Sequence, residues 1–354
     1  MDKLTRRQMR SLLFVAVISP LFRQAPGSAV GASGSGTWLS AGLAGVSFLF
    51  LGWVTLGLLP PGKGLGEALT ASLGPVPGRI ALGLYTIYMS LYAGFVLRSG
   101  ADRFLAAVYP DSPLWVLGLA LLLPVIPAVL GPAKPVGRMA ELTAPFLLGL
   151  LLSVFLFALP GVQWEELSLA DATPRGILRG SFPLLDALSV SVFLLFWEDR
   201  AESGGRQKGF LLPSGLLGAL GVLLCLTTVG TFGPALTEKM NYPFFVMIRS
   251  VSIFQLLERA ETFIVAQWVI TDYVLLNVLF RAAADTAKRS LAPHQPPSRW
   301  WALPCLILSL GCALLCAGDA FRLRALSRTW VPLVNGCAAG LVPFLLLPGA
   351  FRKK

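Results

Sequence analysis

Of the chain's 354 residues, 55% are hydrophobic and only 13% are charged, and the mean hydropathy is +0.72. That is more apolar surface than a soluble core of this length can hide, so the chain reads as an integral membrane protein. The net charge of +11 tempts towards nucleic acid, but its placement is that of loop charges setting a membrane topology.

Apolar stretches of spanning length run at 11–31, 37–59, 80–108, 113–131, 140–160, 181–197, 209–233, 243–281, 301–318 and 330–348. They predict about ten helices in one polytopic membrane domain over residues 1–354. Basic residues segregate to alternate loops. Lys3, Arg6, Arg7 and Arg10, then Lys63, Arg79, Lys134 and Arg138, Arg200 to Lys208, Arg281 to Arg299, and Arg352 to Lys354 all fall on one side. Both termini are therefore expected to be cytoplasmic. The basic amino end before an apolar run imitates a signal peptide, but the run continues into a first span, so retention is expected.

The first span is the most informative. Pro20, Arg23, Pro26 and Gly27 interrupt it where a membrane helix should be continuous. Each proline removes a backbone donor, and the carbonyls so freed are tolerated at membrane depth only where buried in protein or lining a wet cavity. The break is a candidate binding site, the alternative being a simple proline kink. Residues 62–74, with Lys63 and Glu67, are predicted to form a short amphipathic surface helix facing the headgroups. The acidic segment 163–171 places Trp164 at the interface, where it anchors the loop entering span six. Span six carries Pro183, Asp186, Ser189 and Ser191 near its start, and its early part is expected to be unwound. Spans one and six would then be disrupted at corresponding places of two five-helix halves, the pointer to an inverted-repeat transporter. The stretch 243–281 is too long for one straight span and should tilt, project or begin as a surface helix.

Cys225, Cys305, Cys312, Cys316 and Cys337 lie in apolar runs without metal-site spacing and read as small buried hydrophobes. The single histidine, His294, sits in a Pro-rich loop. No nucleophile–base pair, phosphate loop or metal motif is present, so neither catalysis nor a cofactor is expected.

Several short motifs in order resemble one family across nearly the whole chain. Arg7-Gln8 is followed by Pro26-Gly27 and Trp38-Leu39-Ser40, then by Pro61-Gly62-Lys63 with Leu65 and Glu67. Leu84-Tyr85, Val96-Leu97-Arg98, Ser112-Pro113-Leu114-Trp115-Val116, Arg138-Met139-Ala140-Glu141, Tyr242-Pro243, Leu257-Glu258-Arg259, Glu261 and Trp268 complete the pattern. The sequence thus resembles the B subunits of spore germinant receptors, the GerAB family of the amino acid–polyamine–organocation transporter superfamily. The resemblance implies an all-α, LeuT-like fold of ten helices with broken helices 1 and 6, in the inner membrane of a dormant spore. It also implies detection of a small nutrient, often an amino acid, in complex with A and C subunits. Ser33 to Thr37 replace the polar or acidic residue usual before the W-L-S motif, and Val190-Ser191 stand where a G-E pair is common.

In that fold the unwound ends of spans one and six face spans three and eight and offer backbone groups to a zwitterion. The candidate ligand-binding residues are Ser19, Arg23 and Gly27 of span one, Tyr88 and Tyr92 of a tyrosine stripe that includes Tyr85, Asp186 and Ser189 of span six, and Thr271 and Leu275 of span eight. Asp272 and Asn277 are polar but are assigned to a water path or a neighbouring helix. Arg23 either receives a ligand carboxylate, pairs with Asp186, or snorkels to the outer interface. Ser19 either meets ligand or bonds back to its own helix. Glu258, Arg259 and Glu261 read as an ion-pair network. The function expected is nutrient sensing, with an ion-coupled amino-acid permease and a structural subunit without ligand as rivals.

Overall fold

A computed structural model describes residues 3–169, 172–202, 204–250, 260–295, 298–315 and 318–351. Apart from one isolated bridge, Leu4 with Ala201, the described regular structure is helical. In chain order the α-helices are α1 (Arg6–Ser33), α2 (Thr37–Leu58), α3 (Leu65–Leu73), α4 (Pro75–Ala107), α5 (Leu114–Leu122), α6 (Val125–Leu130) and α7 (Lys134–Ala158). They are followed by α8 (Pro174–Ser189), α9 (Arg206–Lys239), α10 (Pro243–Ser250), α11 (Ala260–Leu291), α12 (Ala302–Leu315), α13 (Ala320–Arg328) and α14 (Trp330–Phe351). Among the described residues six segments are long and apolar enough to cross a membrane, and Leu114–Leu130 and Arg299–Leu315 are shorter apolar helices. Helices α1 and α11 are also long enough to span, at 28 and 32 residues. With those two, each of the ten expected stretches has a helical counterpart, and the chain is a multi-pass membrane protein.

Helix α1 is the axis of the bundle, packed against α9, α8, α7 and α11. Thr5 and Gln8 form a reciprocal capping box at its start. Leu12 to Ile18 are buried on every side, as an interior helix requires. The expected unwound break is absent: α1 is helical over 28 residues with Pro20 and Pro26 inside it. The prolines still act locally, because without their N–H groups the carbonyls of Ala16 and Phe22 lose their i→i−4 donors.

Span six is also irregular in a different place from the one expected. Residues Pro174–Ser189 are α-helical through Pro183, and the departure comes afterwards, where Val190–Arg200 winds as a 3₁₀ helix. Eleven residues is long for that geometry. Ser189 Oγ donates to Asp186 O and Ser191 Oγ to Leu188 O, both at 2.7 Å, tightening the turn at the junction. Helix α9 is interrupted at Gly233, whose φ of 72° is open to glycine, just before Pro234. Within 243–281 the structure describes α10 and, from Ala260, α11; residues 251–259 between them, where the expected bend or surface segment would fall, lie outside the described residues.

The short helix at 65–73 forms as expected, but its acid does not face the headgroups. Glu67 accepts from Arg289 at 3.2 Å, and the same guanidinium reaches Asp199 at 3.3 Å. These contacts belong to a charged seal across the end of the bundle that carries the N-terminus. Arg6 pairs with Glu198 at 2.5 Å and Arg200 with Asp285, while Arg206 caps the Leu56, Leu59 and Pro60 carbonyls. Leu4 N donates to Arg200 O at 2.8 Å, tying the chain's start to the end of span six. Cys225 and Cys305 are buried as expected, whereas Cys337 is exposed on the outer face of α14. The segment holding Glu258 and Arg259, together with Cys316, lies outside the described residues, and nothing is described of the Glu261 side chain.

Candidate functional site

Ser19, Arg23 and Gly27 recur every four residues, so they share one stripe of α1. That stripe faces two polar clusters inside the bundle.

The first cluster joins α1, α4, α8 and α14. Arg23 is 4% exposed; its Nη1 donates to Ser99 Oγ at 2.8 Å and its guanidinium lies 5.3 Å from the Phe95 ring centre. Its Nε and Nη2 have no close partner among the described residues, with the Tyr92 hydroxyl beside the guanidinium. Tyr88 and Tyr92 stack at 6.2 Å between ring centres, and Tyr88 OH donates to Asn335 Oδ1. The Asp186 carboxylate, 2% exposed, lies beside Asn335 and within electrostatic reach of Arg23, with Oδ1 unpartnered. Asn335 Nδ2 likewise has no close partner among the described residues, with Asp186 and Tyr92 beside it. A buried guanidinium, carboxylate and amide with open bonding positions cost stability unless something completes them. They can engage a molecule that carries both an anionic and a cationic group.

The second cluster joins α1, α4 and α11. Arg103 Nη2 bonds Asp272 Oδ2 at 2.5 Å, both residues being 1% exposed, and Arg103 stands 4.7 Å from the Trp268 ring centre. Ser19 Oγ donates to the other oxygen of Asp272. The fit needs Gly100: a Cβ there would sit 3.0 Å from both Asp272 Oδ2 and Leu121 Cδ1. Asp272 is thus the hub tying the proline-bearing stretch of span one to spans three and eight.

Among the expected site residues, Ser19, Arg23, Tyr88, Tyr92 and Asp186 come together in these clusters. Arg23 is neither at the outer surface nor ion-paired to Asp186, since its described bond is to Ser99. Ser19 bonds Asp272 rather than its own helix. Gly27 lies one turn beyond, lining an outer cavity of about 60 Å³ with Arg23, Ser99, Asp102 and Tyr242. Three residues take other roles. Ser189 is engaged with Asp186 O, Thr271 Oγ1 turns back to Gln267 O at 2.9 Å, and Leu275 is fully buried packing. Tyr85 donates to Ala338 O at 2.7 Å and acts as a tie between spans three and ten.

Ser99, Arg103 and Asn335 are additions that the sequence reading passed over. Arg103 and Ser99 continue the tyrosine face of α4 at helical spacing, and Asn335 is the only side-chain amide in the apolar run 330–348. An intramembrane polar residue is by default a functional candidate, so each carried a readable signal. At the cavity rim Tyr242 OH donates to Asp102 at 2.9 Å. Burial, with Asp102 beside it, raises the Tyr242 phenol above its ordinary value, so it stays a donor.

A helical membrane bundle with buried polar clusters around its first, third, sixth, eighth and tenth spans has the architecture of a secondary transporter. Solved structures of that class match nearly the full chain. The Na+-coupled sialic acid symporter in a substrate-bound outward-open state aligns over 94% of this chain and 84% of its own, at 15% identity and TM-score 0.59. MhsT in complex with L-phenylalanine aligns over 99% and 89%, at 12% identity and TM-score 0.63. Mhp1, a nucleobase-cation-symport-1 family transporter in a closed conformation with a hydantoin bound, aligns over 97% and 78%, at 14% identity and TM-score 0.62. The fold is therefore the LeuT-like fold. Residues 3–316 match the family described as spore germination protein, and the chain belongs to that family. Two Bacillus subtilis (strain 168) proteins are similar. YfkT, named a spore germination protein, is 25% identical over 213 residues, 58% of this chain and 57% of its own length. Spore germination protein KB is 21% identical over 311 residues, 84% of this chain and 81% of its own.

Proposed function

We propose that the protein is the nutrient-sensing membrane subunit of a spore germinant receptor, in the spore inner membrane with both termini cytoplasmic. The ligand is a small carboxylate-bearing nutrient, an amino acid being the class that best suits the cluster. The observation that carries this reading is Arg23, buried in mid-bundle with Nε and Nη2 open. A bidentate carboxylate completes that donor set, and the open Asp186 Oδ1 receives the ammonium. MhsT, which shares the fold, holds L-phenylalanine. Binding biases span one against span six, and the change passes to A and C subunits.

The second reading, an ion-coupled amino-acid permease, draws on the same clusters. Spores carrying this subunit's receptor as their only receptor should germinate with particular amino acids. Proteoliposomes holding this chain alone should accumulate none of them in labelled form. Accumulation by the isolated chain would favour the permease.

A further inference from the structure

Two cavities at the far end of α1 from the charged seal share Gly27, Ser28 and Arg328. The smaller, of about 60 Å³, ends at Arg23, and the larger measures about 430 Å³. Together they are lined by Arg23, Arg175, Arg179, Arg324 and Arg328, against the acids Asp102 and Glu238. Asp102 is already engaged by Tyr242 at 2.9 Å and by Arg98 at 3.6 Å. Two of the arginines are fixed: Arg328 Nη2 holds Gly27 O at 2.9 Å and Glu238 O at 2.7 Å, and Arg324 Nη2 holds Glu238 O at 2.5 Å. Arg175 and Arg179 are exposed on the first turns of α8, with no acid bound to them among the described residues. Asp171, close in sequence, lies outside those residues.

The neighbouring cavity is of opposite character. It is about 250 Å³, is lined by Ser35, Glu165 and Glu166, contains no arginine, and meets the arginine cavity at Ala32 and Thr173. Positive charge is therefore concentrated on the route that ends at Arg23. A cleft of one sign between low-dielectric walls raises the local concentration of counter-ions by about 10- to 1,000-fold.

We propose that this arginine-lined vestibule is an anion-selective antechamber, concentrating small water-borne organic anions and turning the carboxylate end of a net-neutral zwitterion towards Arg23. As an antechamber it rests on the reading of the Arg23 cluster as the ligand site. The measurement below involves no nutrient, so failure of the two can be told apart.

The test compares thiol modification at Ser28→Cys, inside the vestibule, with Ser35→Cys, in the acidic cavity. Each protein is held in phosphatidylcholine nanodiscs, with the unsubstituted chain as the blank for native cysteines. The reagents are the anionic sulfonatoethyl and the cationic trimethylammonioethyl methanethiosulfonates. The anion-to-cation rate ratio should be at least about tenfold higher at Ser28→Cys than at Ser35→Cys. It should fall when Arg175→Gln and Arg179→Gln are added, and when salt is raised. Should Ser28→Cys fail to fold, Ser327→Cys, lining the smaller cavity, replaces it. Equal ratios at the two positions would overturn the proposal. So would a contrast that vanishes in discs containing phosphatidylglycerol, because lipid phosphates would then hold the arginines.

Discussion

Asp272 gives the most direct perturbation of the architecture around the site. It accepts from Arg103 at 2.5 Å and from Ser19, and both members of the ion pair are 1% exposed. Asp272→Asn keeps the shape and an acceptor oxygen but leaves the Arg103 guanidinium buried without a counter-charge. Breaking one partner of a buried pair costs about 3–5 kcal/mol, whereas replacing both by apolar groups of similar volume is close to neutral. Arg103→Met with Asp272→Leu should therefore recover most of what Arg103→Met or Asp272→Leu loses alone, giving a coupling energy of at least about 2 kcal/mol in the double-mutant cycle of those two substitutions. Unfolding in SDS titrations, followed by tryptophan fluorescence, reads this directly. The loss should persist in 1 M salt, because a pair with so little exposure is poorly screened. The surface pair Arg7–Glu141, whose side chains are 77% and 25% exposed, serves as the salt-sensitive control. A loss below about 1 kcal/mol for Asp272→Asn, or a double variant as unstable as the two single losses added together, would refute the claim that this pair ties spans three and eight.

Ser19→Leu should abolish the ligand response while leaving the protein in the membrane, since it removes the Asp272 bond and sets a larger apolar side chain one helical turn from Arg23; an unchanged dose–response at normal protein level would take Ser19 out of the site. Arg23→Lys should weaken the response about tenfold, the effect of losing about 1.4 kcal/mol of charge-assisted bonding, because an ammonium lacks the planar fork of a guanidinium. A lysine variant of wild-type sensitivity would argue against a bidentate carboxylate. Ser35→Cys and Glu202→Cys, labelled from one side in oriented vesicles, should react on opposite faces; labelling of both from the same face would require a different number of spans.

Much of the fold was legible because hydropathy over spanning length depends on composition, and each of the ten stretches has its helix. The departures are local and physical. Pro20 and Pro26 were read as a break, yet surrounding helices bury α1 so completely that it continues through them. In span six the signal drawn from Pro183 was misplaced, since a proline with helical φ is accommodated in a packed bundle. The tightening instead follows Ser189 and Ser191, whose hydroxyls bond three residues back.

Site residues divided along the same line. Arg23, Tyr88, Tyr92 and Asp186 announced themselves as polar groups in apolar runs. Which partner each took could not be read, because those contacts join residues up to 253 positions apart, as Ser19 and Asp272 are. Thr271 looked equally available on a helix face, but its hydroxyl is satisfied within its own helix. Asn335 was hidden by the apolar run around it, although an amide there needs partners as much as any other buried polar group.

The central claim, that Arg23 receives a carboxylate, is tested most directly by equilibrium binding to the chain in nanodiscs. An active amino acid, identified by the single-receptor germination panel, is compared with its own carboxamide, in which the anion alone is lost. The wild-type protein should bind the amino acid at least about tenfold more tightly, and Arg23→Gln should bind the two alike. Equal affinity of the wild type for both compounds, or an undiminished preference in Arg23→Gln, would contradict the account.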